Sequence, residues 1–186
     1  MIGKAALAAI IALGFGIALP GCASKNGPLA LLPAKVRPAT DVTGSSYAAA
    51  DALMAQVKPT LELDTPIIVA TVVNLNRLDE SSPLGRLIAE QVAGRFAQAG
   101  HRVLEVKLRN QLYMKRNEGE LVLTREVRDI AKQHNARAIV TGTYADSADR
   151  IFINLKMIEF ETNVVLAAFD YQLEKDAQVR SLQTSH

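Results

Sequence analysis

Apolar residues recur along this chain at three different spacings, and each spacing names an element. Tyr47, Ala50, Leu53, Met54 and Val57 fall at intervals of three and four, the spacing of one helix face, with Ser45 or Ser46 placed to cap it and Pro59 to stop it. Pro66 introduces Ile67-Ile68-Val69-Ala70-Thr71-Val72-Val73, an almost continuous apolar run. That is the pattern of a strand covered on both faces, so it belongs at a sheet centre. A second helix is predicted from Pro83, capped by Ser82, with Leu84, Leu87, Ile88, Val92 and Phe96 on one face and Gly100 as its stop. His101 to Lys107 reads as a strand through Val103, Leu104 and Val106. A third helix starts at Thr124, turns Val127, Ile130 and Ala131 inward and ends near Asn135. Between them, Leu108 to Leu123 receives no element. Ala138 to Tyr144 is again strand-like. Strict alternation then marks two more strands, Arg150 to Phe160 through Ile151, Ile153, Leu155 and Met157, and Val164 to Leu173 through Val165, Ala167, Phe169, Tyr171 and Leu173. Glu161-Thr162-Asn163 makes the turn between them. Two crossovers set the first three strands parallel and two hairpins add antiparallel ones. The expectation is a single α/β domain, three helices packed on a mixed five-stranded sheet of order 2-1-3-4-5.

The amino-terminal pattern is different in kind. Ala5 to Leu19 is an unbroken apolar run behind Lys4, shorter than the roughly 20 residues of a membrane span and close to the roughly 7–15 of a secretory core region. Residues 1–21 are therefore expected to be a signal peptide. Cys22, the sole cysteine, follows directly, and Leu19-Pro20-Gly21-Cys22 resembles the lipobox read by bacterial lipoprotein signal peptidase. The resemblance implies cleavage before Cys22 and three acyl chains on it, palmitate among them, a covalent lipid in place of any other cofactor. Each buried methylene is worth roughly 0.8 kcal/mol, so several chains anchor stably where one is marginal. Ala23, where an Asp would favour inner-membrane retention, implies the outer membrane, on its periplasmic face or at the cell surface. Residues 22–44 then read as a lipidated tether: Ala23 to Gly44 holds three of the seven prolines and no periodicity.

Composition narrows the functional classes. With 186 residues, 49% hydrophobic, one Cys and 11 Gly, the chain is not disordered, collagenous or disulfide-framed. A net charge of +2 is too mild to imply nucleic acid. Charge is unevenly spread, however. Arg102 to Arg137 holds nine basic and five acidic residues, and Ala138 to His186 four and seven, a contrast that suits head-to-tail packing of copies around a ring.

The candidate site is the loop Asn74 to Ser82, leaving the carboxyl end of the central strand and feeding a helix, where ligands of open α/β sheets bind. Asn74 and Arg77 suit a polar group, and helix amides suit an anion. The loop carries no glycine before Gly85, so it is neither a phosphate-binding loop nor a dinucleotide fingerprint. Asp79 and Glu80 read first as residues that complement the helix dipole. His101, His134 and His186 are too far apart for a metal motif, and no nucleophile motif is present. Glu118/Glu120 and Asp146/Asp149 read as solvated turn residues. No enzymatic activity and no metal are expected. Asn74, Arg77, Asp79, Arg86 and Tyr113 are the candidate partner contacts.

Several stretches resemble the FlgO family of flagella-associated outer-membrane lipoproteins. They are Val69-Ala70-Thr71-Val72-Val73-Asn74-Leu75, Ser81-Ser82-Pro83-Leu84-Gly85-Arg86, Leu112-Tyr113 with Gly119-Glu120-Leu121, Gly142-Thr143-Tyr144 and Val165-Leu166-Ala167-Ala168. They run in family order from about Tyr47 to Leu173. Asn163 departs from the Gly expected in the last hairpin, but Asn tolerates the same positive φ. The resemblance implies an α/β arrangement similar to that of the amino-terminal domain of the translocation protein TolB. It also implies association with the flagellar base, a need for the protein in motility or flagellar stability, flagellar or other envelope proteins as partners, and no reaction. Residues 45–175 are then the FlgO-like domain and 176–186 a tail. The alternative from the residues alone is a periplasmic module binding a cell-wall fragment or small anion at the same loop.

Overall fold

The computed structural model describes residues 39–58, 61–105, 112–114, 121–123 and 125–184, with the side chains of 112–114, 121–126 and 128 excepted. The predicted signal peptide, Cys22 and the predicted tether as far as residue 38 lie outside them.

Helix α1 (Val42–Val57) starts earlier than the serines predict, because Asp41 is its cap: its carboxylate accepts from Gly44 N–H at 2.7 Å. Ser46 instead is fully buried and turns its hydroxyl back onto the Val42 carbonyl at 2.9 Å. The predicted central strand is two strands, β1 (Ile67–Val69) and β2 (Val73–Asn74). The break falls beside Val72, whose carbonyl accepts the Ser81 hydroxyl at 2.7 Å. Helix α2 (Pro83–Gln98) is capped by Ser82 as expected, its oxygen accepting from Gly85 N–H at 3.2 Å, with Pro83 in the first turn and Gly100 at φ +92° closing the far end.

Strand β3 (Val103–Leu104) is shorter than predicted within the described residues. The stretch without a predicted element contains β4 (Leu112–Met114) and β5 (Leu121–Leu123), paired antiparallel as a sheet of their own. Helix α3 (Arg125–Gln133) follows, with Asn135 at φ +53° beyond its end. Strands β6 (Ala138–Asp146), β7 (Arg150–Glu159) and β8 (Val165–Glu174) form two hairpins, the second turning at Asn163 with φ +58°. Helix α4 (Ala177–Gln183), capped by Asp176, occupies most of the predicted tail.

The main sheet runs β3-β1-β6-β7-β8, with β2 also on β6. In the predicted numbering this is order 2-1-3-4-5, with β1, β2, β3 and β6 parallel and the hairpins antiparallel. The fold is therefore the expected α/β domain, helices on a mixed five-stranded sheet, with a fourth helix and a small hairpin added. Alternation along β7 and β8 sends Ile151, Ile153, Leu155, Met157, Ala167 and Leu173 into the core beneath α1 and α2, where Leu53, Leu84, Ile88 and Phe96 meet them. Ile68, Ile139, Val127 and Ala131 make a smaller cluster on the opposite face under α3.

Candidate functional site

The loop after β2 is folded by its own backbone. Asn74 N–H donates to the Glu80 carbonyl at 2.8 Å, Glu80 N–H to the Arg77 carbonyl at 2.9 Å, and Arg77 N–H to the Asn74 carbonyl at 3.1 Å. Leu75 N–H reaches the Tyr144 carbonyl at 2.9 Å and ties the loop to β6. Asn74 uses its side-chain oxygen locally, accepting from Asn76 N–H at 2.8 Å. Leu78 is buried and packs with Val73, fixing the loop from below. Leu75, by contrast, is 47% exposed at the tip.

The charged candidates are mostly engaged. Arg77 bonds Glu80 through both carboxylate oxygens, at 2.8 and 3.0 Å, with both side chains at least half exposed, so the pair is worth at most about 1 kcal/mol and is screened by salt. Asp79 is exposed on the same loop. Arg86, exposed on the first turn of α2, donates from Nη1 to the Ser81 carbonyl at 3.2 Å. A guanidinium carries five N–H donors, so most of its capacity faces outward. The structure thus groups Asn74, Arg77 and Asp79 on one loop with Arg86 beside it. Tyr113 sits on β4 in the separate hairpin, and its side chain lies outside the described residues.

Gly85 explains how α2 comes so close to the sheet. A Cβ there would stand 2.2 Å from the Val72 carbonyl oxygen and 2.7 Å from Ser81 Oγ, well inside any real contact. The Ser-Ser-Pro-Leu-Gly run therefore has a geometric meaning: Ser81 bonds Val72, Ser82 caps the helix, Pro83 opens it and Gly85 lets it approach.

Further polar clasps, none legible as local motifs, lie at the same end of the sheet. Lys175 Nζ is 2.7 Å from Asp146 Oδ1 and 2.9 Å from the Ser147 carbonyl, holding the β6–β7 turn. Asp146 is thus ion-paired, where the sequence reading gave a solvated turn residue. Thr40 N–H donates to Asp176 Oδ2 at 2.6 Å while Asp176 Oδ1 accepts from Val179 N–H at 2.8 Å. These two backbone donors hold the Asp176 carboxyl below its usual range. Asp41, Ser82 and Asp176 therefore occupy the N-termini of α1, α2 and α4, the positions an incoming anion would use.

At the other end of the sheet a surface cleft of about 640 Å³ is lined by Lys132, Asn135, Arg137, Glu159, Phe160 and Glu161. Arg137 spans it to Glu159 at 3.3 Å. The Thr162 hydroxyl and that guanidinium lower the Glu159 carboxyl. His101 packs edge-on against Phe96, and burial pushes its imidazole down. Among the described residues no group of three or more His, Cys, Asp or Glu is placed to hold a metal ion, and no helix is long and apolar enough to cross a membrane.

A family model described as FlgO protein matches residues 47–178. No curated protein sequence matches the chain. Among solved structures, the LpoB C-terminal domain from Salmonella enterica is 13% identical, covering 70% of this chain and 98% of that one, with a TM-score of 0.49. LpoB from Escherichia coli is 14% identical over 85% of this chain and 83% of that one, TM-score 0.48. The lipoprotein GNA1162 from Neisseria meningitidis is 9% identical over 61% and 83%, TM-score 0.40.

Proposed function

Because the chain belongs to the FlgO family, we propose that it is a non-catalytic outer-membrane lipoprotein, an adaptor associated with the flagellar base and needed for motility or flagellar stability. The observation that carries this reading is the family match, which spans the domain from within α1 into the start of α4. Cys22 supplies the lipid anchor and the proline-bearing segment behind it the tether. Thr40, at the start of the described chain, is bonded to Glu174 and Asp176, so the tether joins the domain at the end that bears the Asn74 to Ser82 loop.

The geometry favours a contact surface over a reaction centre. The loop spends its hydrogen bonds on its own shape and holds Leu75, Asn76, Arg77 and Asp79 outward. A surface ordered before binding loses little entropy when a partner docks. It favours a protein partner over the small-anion alternative, since Glu80 sets a carboxylate against Arg77 and Ser82 already caps the N-terminus of α2. Head-to-tail packing of copies is part of the same proposal and rests on the charge contrast between Arg102–Arg137 and Ala138–His186.

Leu75→Asp combined with Arg86→Ala tests the surface. Both side chains are exposed, so urea unfolding should be unchanged. Co-purification with flagellar basal bodies should fall about five- to thirtyfold, the range for losing an interface anchor. Wild-type co-purification would remove the loop from the interface.

A further inference from the structure

The outer edge of β8 carries a hydrogen-bonding arrangement that the adaptor reading does not use. Gln56, exposed on the last turn of α1, donates from Nε2 to the Ala168 carbonyl at 3.0 Å, and its Oε1 accepts from Ala168 N–H at 3.3 Å. One side-chain amide therefore takes both backbone groups that a neighbouring strand would take. Nε2 also donates to the Ala52 carbonyl at 3.1 Å, one turn back, which fixes the plane of the amide. At the upper end of the same edge the Thr40 hydroxyl donates to the Glu174 carbonyl at 3.1 Å.

Backbone groups alternate in direction along a strand, so those of Asp170 and Gln172 point outward as Ala168's do. No strand meets them among the described residues. The other outer strand, β3, has two residues, whereas β8 has ten. A long open edge is where another chain adds.

We propose that Gln56 closes the β8 edge to strand addition by a second copy of this chain, with the copy's own β8 as the strand excluded. The side chains do not exclude it. In the antiparallel register centred on Tyr171, Asp170 stands opposite the copy's Gln172 and Ala168 opposite its Glu174, so no like charges face each other. Such a pairing must displace the Gln56 amide from both backbone groups of Ala168, and the Thr40 hydroxyl from the Glu174 carbonyl opposite.

Full-length protein in mild detergent tests this with Gln56→Ala and Gln56→Glu, by sedimentation velocity and residue-resolved hydrogen exchange. Gln56→Ala, at an exposed position, should raise the self-association constant by about tenfold or more, as expected for two competing hydrogen bonds lost. In the associated species the Asp170 and Gln172 amides should be protected relative to wild type. Gln56→Glu loses the donor that faces the Ala168 and Ala52 carbonyls but keeps an acceptor for Ala168 N–H and presents a charge to an incoming strand, so it should associate less than Gln56→Ala. Gln56→Ala with wild-type sedimentation overturns the proposal. So does association that leaves the Asp170 and Gln172 amides unprotected, because the new contact then lies elsewhere.

Discussion

Two glycines on α2 separate close approach from helix propensity at the scale of single residues. Gly85 sits where a Cβ meets the Val72 carbonyl and Ser81 Oγ, whereas a Cβ at Gly94 meets nothing within 4 Å. Gly85→Ala must push α2 off the sheet or break the Ser81–Val72 bond, and should cost about 1–3 kcal/mol in urea unfolding. Gly94→Ala removes only the helix penalty of glycine and should gain roughly 0.5–1 kcal/mol. Equal effects at the two sites would contradict the close approach. Tyr171 gives the second residue-scale test. Burial pushes its phenol up to about 12. The folded state thus holds the proton more tightly than the unfolded chain, whose phenol titrates near its usual value of about 10. Stability linked to it is complete below about pH 10 and is lost as pH rises toward 12. Tyr171→Phe should flatten the alkaline limb of stability against pH, read by the urea midpoint. An unchanged limb would show that the phenol is not its source.

Among the elements, capping was where the sequence was hardest to read. Asp41, not Ser45 or Ser46, caps α1, so Asp41→Ala should cost about 0.5–2 kcal/mol while Ser45→Ala costs little, by urea unfolding. The reverse order would restore the serine cap. Four polar residues, Asp41, Thr43, Ser45 and Ser46, stand within six positions there, and periodicity alone does not say which of them folds back onto the helix. The long alternations of β7 and β8 and the apolar run of β1 were legible because burial on one face or both imposes them. They fixed the strand order through the handedness of crossovers and the shortness of hairpins. Helix α4 was missed because it buries Val179 alone among its residues and shows too short a stripe to read. The β4–β5 hairpin was missed because its strands are three residues each. The loop from Asn74 to Ser82 is legible as the connection between the central strand and α2, from the apolar run before it and the Ser-Pro start after it. The clasps at the same end of the sheet are not legible, since Lys175 with Asp146 and Thr40 with Asp176 join residues far apart in sequence.

At the scale of the whole molecule, the proposed lipid anchor is Cys22, and the described chain enters the domain at Thr40, bonded to Asp176 at the end that bears the Asn74 to Ser82 loop. The Arg137–Glu159 cleft lies at the opposite end of the sheet from that loop. The central claim is that this FlgO-family chain serves the flagellum from a lipid anchor. The most direct test is swimming speed and flagellar number in a deletion strain complemented with either the native gene or a Cys22→Ala version. The account predicts that deletion impairs both, that the native gene restores both, and that Cys22→Ala restores neither. A deletion strain that swims and carries flagella as its parent does would contradict the flagellar role, and full rescue by Cys22→Ala would contradict the anchor.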